Sequence, residues 1–461
     1  MTAGRTTLLA AGTAIALAFA VLLVSATGAQ ALNTMTLKGT AAPGTPAKYN
    51  KVGVLRQGPK KAKKILVLVP GTSAGATNFR TMSSALLKRL KGWQVWSIER
   101  RENLLEDHAL LEAYSKGEAS AQEMLDYYLN SLVDPSISPS FTPKTTGETE
   151  FARDWGLRVA VKDVRQVVRK AGKRGRKVVL GGHSLGGSIT TAYATWNFNG
   201  RTGAKGLDGL VFIDGAGGAR SELPTAADAQ QRLDDLQLES PWLSLLPLPL
   251  PWAAGVFNAM GSTAALTEPN ERSVLQDFPL LPGDLKPPVS TTNVAQYGYA
   301  VDAETSPEYL ALVHSNIGHL AESGDPRGWV NGELGSARRA ASVFAEFDGM
   351  DGTSWYHPVR LSMDAGTVNN GIANPAQKIY GVRATRGKQV KLPMYGFDAA
   401  LGGGRVGVAV RALAKQSGVP KKSVRTVDRS NTFAHIDPLS AAPDKNDFVK
   451  TLAPFLKKKI K

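Results

Sequence analysis

Residues 178–187 read VVLGGHSLGG and set Ser184 between Gly182 and Gly186. This is a G-x-S-x-G turn that follows a short apolar, β-branched run and precedes a predicted helix. On so sharp a strand-to-helix turn the serine backbone is strained, and a side chain at either bracketing position would clash. The turn lifts Ser184 Oγ clear of the strand. It also leaves the Leu185 N–H at a helix start, where the dipole favours a developing oxyanion. A serine placed in this way does nucleophilic chemistry. Its hydroxyl is weak at neutral pH and needs a base within hydrogen-bond reach.

Six histidines could supply that base, at 108, 183, 314, 319, 357 and 435. His435 lies in Phe433-Ala434-His435-Ile436-Asp437-Pro438, after the last predicted strand and before the last helix, and is the best placed. His183 adjoins the nucleophile, and its side chain is expected to point the other way. His314, His319 and His357 fall in a long irregular stretch and read as surface or structural residues. No H-x-x-x-H or H-E-x-x-H pattern occurs, so no metal is expected. The absence of cysteine excludes disulfides and thiol nucleophiles. No organic cofactor is implied.

These residues need a frame. Ile65–Val69 is apolar on both faces, as a central parallel strand should be, and ends in Pro70-Gly71-Thr72-Ser73. An amphipathic helix is predicted over Asn78–Leu90, a strand over Trp93–Ile98 and a helix over Trp155–Ala171. The serine strand begins at Lys177, and Gly209–Ile213 is a further strand ended by Asp214. A strand is expected at Lys378–Ala384, a helix at Gly404–Ser417, a strand at Ser423–Val427 and a final helix from about Asp447. Strands alternating with helices imply an α/β fold with a mostly parallel sheet flanked by helices on both faces. Sites on such sheets lie at the carboxyl ends of the strands. Thr72, Ser184, Asp214 and His435 would then share one rim.

The chain has 461 residues, 43% of them hydrophobic, enough for one large domain with insertions or for two domains. Residues 1–31 read as a secretory signal. Arg5 is the only charge there, Leu8 to Val24 is apolar, and Ala29-Gln30-Ala31 fits a signal peptidase site. Cleavage would leave an exported chain with no transmembrane segment. The first part of the core spans 32–218, with a helical insertion at about 102–150. Residues 219–375 break the rhythm and form a cap or lid, and 376–461 complete the core. Within the cap, 241–252 is apolar and proline-rich. Exposed, it would be an association liability; folded over the rim, it would wall an acyl-binding pocket with Trp242, Leu246 and Trp252, and the alternative is a cap packed against its own helices that lines nothing in particular.

Formal charge is +16, from 55 Lys and Arg against 39 Asp and Glu. On an exported protein this favours contact with anionic cell-envelope polymers or lipid head groups. No basic stripe interleaved with aromatics is present, so nucleic acid is not an expected partner. Taken singly, the clusters at Lys60–Lys64, Lys170–Lys177 and Lys457–Lys461 read as solvated loops and helix ends.

On Gly182-His183-Ser184-Leu185-Gly186-Gly187, on Pro70-Gly71-Thr72 and on His435 in a late loop, the chain resembles the α/β-hydrolase superfamily, in its lipase- and esterase-like branch. The resemblance covers roughly 50–100, 155–218 and 376–456. Many members carry His-Gly where this chain has Pro70-Gly71. The resemblance implies the α/β-hydrolase fold, Ser184 as nucleophile and His435 as base. Leu185 and Thr72 N–H would form the oxyanion hole, with Ser73 as the near alternative. It leaves the acid open. Asp398 sits where the family acid usually lies, Asp214 occupies a variant position, and Asp364 and Asp437 are weaker. The implied activity is a secreted serine esterase or lipase acting on small ester or lipid substrates through an acyl-enzyme. An exported aminopeptidase or an acyltransferase would use the same machinery. A non-catalytic envelope binding protein is the alternative of another class; retention of Ser184, both glycines and His435 weighs against it.

Overall fold

The computed structural model describes residues 33–218 and 222–461. The expected signal at 1–31 lies outside the described residues, as do 219–221 at the start of the expected cap. Eight strands form one sheet: β1 (Thr34–Lys38), β2 (Lys51–Gln57), β3 (Lys64–Val69), β4 (Trp93–Glu99), β5 (Lys177–His183), β6 (Gly209–Ile213), β7 (Met394–Asp398) and β8 (Val424–Asp428). Their order is β1-β2-β4-β3-β5-β6-β7-β8. β1 runs antiparallel to β2 and β2 antiparallel to β4; every other pairing is parallel.

Successive residues of a strand face opposite sides, and both faces of this sheet are covered. Leu66, Leu68, Val179, Val211 and Phe397 pack on one side with α1 (Arg80–Arg89) and the last helix. Ile65, Val67, Val178, Leu180 and Phe212 pack on the other with α2 (Leu157–Ala171), α3 (Leu185–Thr195) and α4 (Arg405–Ser417). The last helix, α5 (Asp447–Lys459), runs through Pro454. The central strands are thus fully apolar because neither face meets water.

Between β6 and β7 lies a long, mainly helical insertion. It holds helices Ala226–Leu238, Ala253–Thr267, Asn293–Val301, Ala337–Phe344, Val359–Ala365 and Pro375–Tyr380, and a hairpin of Gly318–Gly324 with Arg327–Asn331. The strand expected at Lys378–Ala384 is not formed. Asn374 Oδ1 accepts the Gln377 N–H at 3.0 Å with Pro375 at the first helical position, and Gly381 closes the turn in the left-handed region at φ 69°. These caps make a helix of an apolar run too short for periodicity to assign. The strand comes later, at β7, and Asp398 is its last residue.

Trp242 and Trp252, expected at the substrate, pack elsewhere. Trp242 meets Trp155 and Tyr356 edge-on and donates its Nε1–H to Thr149 Oγ1 at 2.9 Å. Trp252 meets Phe141 edge-on. Both rings bind the 222–375 insertion to the smaller insertion after β4. A buried indole needs a partner for its N–H, and Thr149 provides one for Trp242.

Candidate active site

Ser184 follows β5 at φ 55°, ψ −125°, a conformation that costs a residue with a side chain about 1–3 kcal/mol. Its neighbours permit it. A Cβ on Gly186 would strike the Val69 carbonyl, and one on Gly182 would strike Gly186. The turn therefore sits tight against the end of β3, and Ser184 N–H is held by the Ile213 carbonyl at 2.9 Å. Ser184 and Leu185 line an open cleft with Thr72, Asp214 and Arg405.

His435 Nδ1–H donates to Asp214 Oδ2 at 2.6 Å, and both side chains are buried. That bond puts the proton on Nδ1 and leaves Nε2 as the lone-pair nitrogen. Asp214 Oδ1 accepts the Ala399 N–H at 2.7 Å and the Gly402 N–H at 2.9 Å. Burial alone would raise the Asp214 carboxyl. The His435 N–H, the imidazole's charge and the Ala399 N–H outweigh it and hold the group below its ordinary value. Asp214 thus stays ionised beside the imidazole.

Asp398 is not brought to His435. Its two oxygens accept the Val406 and Gly407 N–H groups, each at 2.8 Å, so it caps the first turn of α4. The carboxylate at the end of β7 belongs to a helix N-terminus, and the one at the end of β6 belongs to the imidazole. Asp364 receives the Leu157 N–H at 2.9 Å and pairs with Arg360 at 2.7 Å. Asp437 accepts Ser315 Oγ at 2.7 Å and the Ala434 N–H at 2.7 Å, binding the His435 loop to the insertion.

Thr72 and Leu185 N–H make no hydrogen bond among the described residues, and both residues line the cleft. The Ser73 N–H is already engaged, at 3.3 Å, by His357 Nδ1. Arg100, which the sequence did not mark, and His357, read there as a surface or structural residue, hold this loop. Arg100 Nη1 donates to the Pro70 and Gly71 carbonyls at 2.9 and 3.0 Å, and its Nε pairs with Glu102 at 2.5 Å. With those carbonyls turned toward the guanidinium, the following N–H is left for the cleft. His357 Nε2–H donates to Ser362 Oγ at 2.9 Å. Burial, then the nearby Arg100 charge, push its pKa well below the usual value, so the ring is neutral and its Nδ1 can accept. No sequence motif signals Arg100; only its position at the end of β4 could have.

His183 does not simply point away. Its Nε2–H donates to the His435 carbonyl at 2.9 Å, and the two rings lie 4.3 Å apart. Burial, then the His435 charge, lower its pKa to about 3, so it is a neutral prop under the His435 loop. His314 bonds the Pro307 carbonyl at 3.2 Å, and His319 is exposed on the hairpin.

Glu106, His108 and Asp351 offer metal-ligand atoms within 4.8 Å of one another. Both ring nitrogens of His108 are taken, however, by Glu106 at 3.0 Å and Glu346 at 2.9 Å. The group fits a histidine sharing protons with two buried carboxyl groups better than a cation site, and it ties the post-β4 insertion to the larger one.

The sheet order, the serine elbow and the late histidine define a class, and a comparison of families agrees. A model described as the alpha/beta hydrolase family matches residues 66–349, and the chain belongs to that family. Similar solved structures include a candidate lipase of Sulfolobus solfataricus, 14% identical, covering 93% of this chain and 94% of that one at a TM-score of 0.48. An epoxide hydrolase of Vigna radiata is 13% identical, covering 93% and 98% at a TM-score of 0.41. A lipase in an open form is 14% identical, covering 93% and 99% at 0.38. No curated protein matches the chain.

Proposed function

We propose that this protein is a secreted serine hydrolase that cleaves carboxylic esters with an aliphatic acyl group. The observation that carries the reading is the Asp214–His435 pair at 2.6 Å on the rim where Ser184 holds its strained turn. Ser184 Oγ attacks the ester carbonyl while His435 Nε2 takes its proton. Thr72 and Leu185 N–H receive the developing oxyanion. His435 returns the proton to the leaving alcohol, and an acyl-enzyme forms on Ser184. A water deprotonated by His435 then releases the acid and restores the serine. Asp214 keeps the imidazole in the Nδ1–H tautomer and offsets its transient charge. The export reading rests on the apolar run and Ala29-Gln30-Ala31.

The acyl reading rests on a narrow apolar cavity inside the insertion, lined by Leu245, Leu246, Phe257, Leu281, Val301 and Val313. Ser73 lines it too, so the Thr72–Ser73 peptide stands between it and the Ser184 cleft. In this reading 219–375 is the cap, and Leu246 meets the acyl chain while Trp242 and Trp252 hold the cap in place. An apolar cavity with few polar groups suits a hydrocarbon ligand.

The test is hydrolysis of p-nitrophenyl esters of increasing acyl length by the mature protein, beside Ser184→Ala and His435→Ala. Turnover lost in both variants, with preference for medium or long chains, supports the reading. Cleavage of amino-acyl anilides with no ester turnover would replace it with a peptidase.

A further inference from the structure

Strands β3 to β8 all begin at the pole of the sheet opposite Ser184. Seven segments turn there, at 58–64, 88–92, 169–177, 203–208, 386–393, 415–423 and 456–461. Together they hold 24 Lys and Arg and a single acidic side chain, Asp208. The whole chain has 55 basic and 39 acidic residues, so everything outside this pole is net acidic. The segments meet in space. Lys64 Nζ donates to the Ile460 carbonyl at 2.6 Å, the Lys177 N–H to the Lys63 carbonyl at 2.9 Å, and Lys391 Nζ to the Ser417 carbonyl. Among the described residues, the one ion pair within these segments is Lys177–Asp208 at 3.0 Å.

Basic residues in the last turns of α1, α2, α4 and α5 complement helix dipoles. That accounts for part of the charge. It does not account for Lys60, Lys61 and Lys63, which lie in a loop, or for Lys173, Arg174 and Lys421, which lie in single 3₁₀ turns, and all six are exposed. None of the exposed large apolar side chains lies in these segments, and none of the segments lines the cleft or the apolar cavity. The charge covers the blunt end of six adjacent strands, about 24 Å across at ~4.8 Å per strand. A broad array without a groove, an aromatic platform or an apolar wedge matches a planar anionic surface, not a threaded polymer.

We propose that this pole docks on a bilayer rich in anionic phospholipid, lysines against phosphate headgroups, with the Ser184 cleft facing away. Binding is then electrostatic and salt-sensitive, and substrate reaches Ser184 from the side away from the lipid. The proposal does not depend on the ester reading. Its test is co-sedimentation of the mature protein with vesicles of phosphatidylcholine alone or mixed equally with phosphatidylglycerol. The expected result is binding to the mixed vesicles only, reversed by high salt. Joint replacement of Lys60, Lys61, Lys63, Lys457 and Lys458 by Gln should weaken binding at least about tenfold. The same number of replacements at Lys48, Lys116, Lys144, Lys378 and Lys445 should leave it near wild type. Melting curves check folding, and Lys60→Gln with Lys61→Gln alone should give a smaller loss in the same direction. Equal binding by both five-fold variants, binding to phosphatidylcholine alone, or binding to polyphosphate but not to mixed vesicles would overturn it. Vesicle-bound protein should also stay accessible to a fluorophosphonate probe at Ser184; occlusion on binding would overturn the orientation.

Discussion

At the carboxyl ends of the strands, Ser73, Ser184 and Asp214 carry positive φ values of 48°, 55° and 45°, and the polar side chains around them are buried and mutually bonded. At the amino ends, Arg174 is the one non-glycine residue of the turning segments with positive φ, and the side chains are exposed cations with few partners. Three of the six strands, β3, β5 and β6, thus end in strained turns around buried charge, while all six begin among solvated cations. The difference follows from the tasks. Groups that must meet within a hydrogen bond have to be held against their local preferences. Groups that present charge to a surface need only be numerous and wet.

The largest break in this contrast should come at the nucleophile. Ser184→Ala is expected to lower kcat by about 10⁴-fold or more with little change in melting temperature, read by ester turnover and a thermal scan. Next is the choice between the two carboxylates. Asp214→Asn should cost roughly 10³–10⁴ in kcat, because an amide cannot hold the imidazole in the right tautomer and charge state. Asp398→Asn should leave kcat within a few-fold while weakening the α4 cap by about 1 kcal/mol. Paired kinetics and denaturant titrations separate the two, and equal loss of turnover would contradict the assignment.

A smaller effect is expected at Arg100. Arg100→Lys keeps the charge but cannot reach two carbonyls and Glu102 at once. It should lower kcat by about tenfold with KM nearly unchanged, since the proposed oxyanion role of the Thr72 loop would act mainly in the transition state. A change in KM alone would assign Arg100 to substrate binding instead.

The smallest concerns pH and stability at the His108 cluster. Burial raises the Glu106 carboxyl from 4.5 to about 8, partly opposed by the His108 bond. For His108, burial alone would lower the pKa, but its bonds to Glu106 and Glu346 raise it well above the usual value. Both groups bind protons more tightly in the folded chain. The Glu106 contribution is therefore full below about 4.5 and lost as pH rises through about 8, and that of His108 is full below about 6.5 and lost as pH rises through its raised value. Glu106→Gln should flatten the fall in melting temperature between pH 5 and 8, and an unchanged slope would contradict the proton-sharing account. Asp214 works in the other direction: its lowered pKa stabilises above the ordinary carboxylate range and is lost toward acid.

The tight turn at Ser184 and the late loop that carries His435 were legible because each is fixed by local chemistry or lies between two recognisable elements. The acid was not. Asp214 and Asp398 both close apolar strands, and nothing local tells whether a carboxylate meets an imidazole or a helix start. The Gly402 and Ala399 N–H groups that complete the Asp214 site lie almost two hundred residues away in sequence. Trp242 and Trp252 were misjudged for a related reason: an apolar segment can face a ligand or other aromatics, and Thr149, Trp155 and Phe141 decide it from afar. The basic pole was read as three minor clusters because the topology, not the spacing, brings them together.

The central claim is that Ser184 is activated by the His435–Asp214 pair. Its most direct test is the rate of fluorophosphonate labelling at Ser184, followed by mass spectrometry, in the wild type, His435→Ala, Asp214→Asn and Asp398→Asn. Rapid stoichiometric labelling in the wild type and Asp398→Asn, with loss in the other two, is the predicted result. Labelling that survives in Asp214→Asn and fails in Asp398→Asn would contradict it.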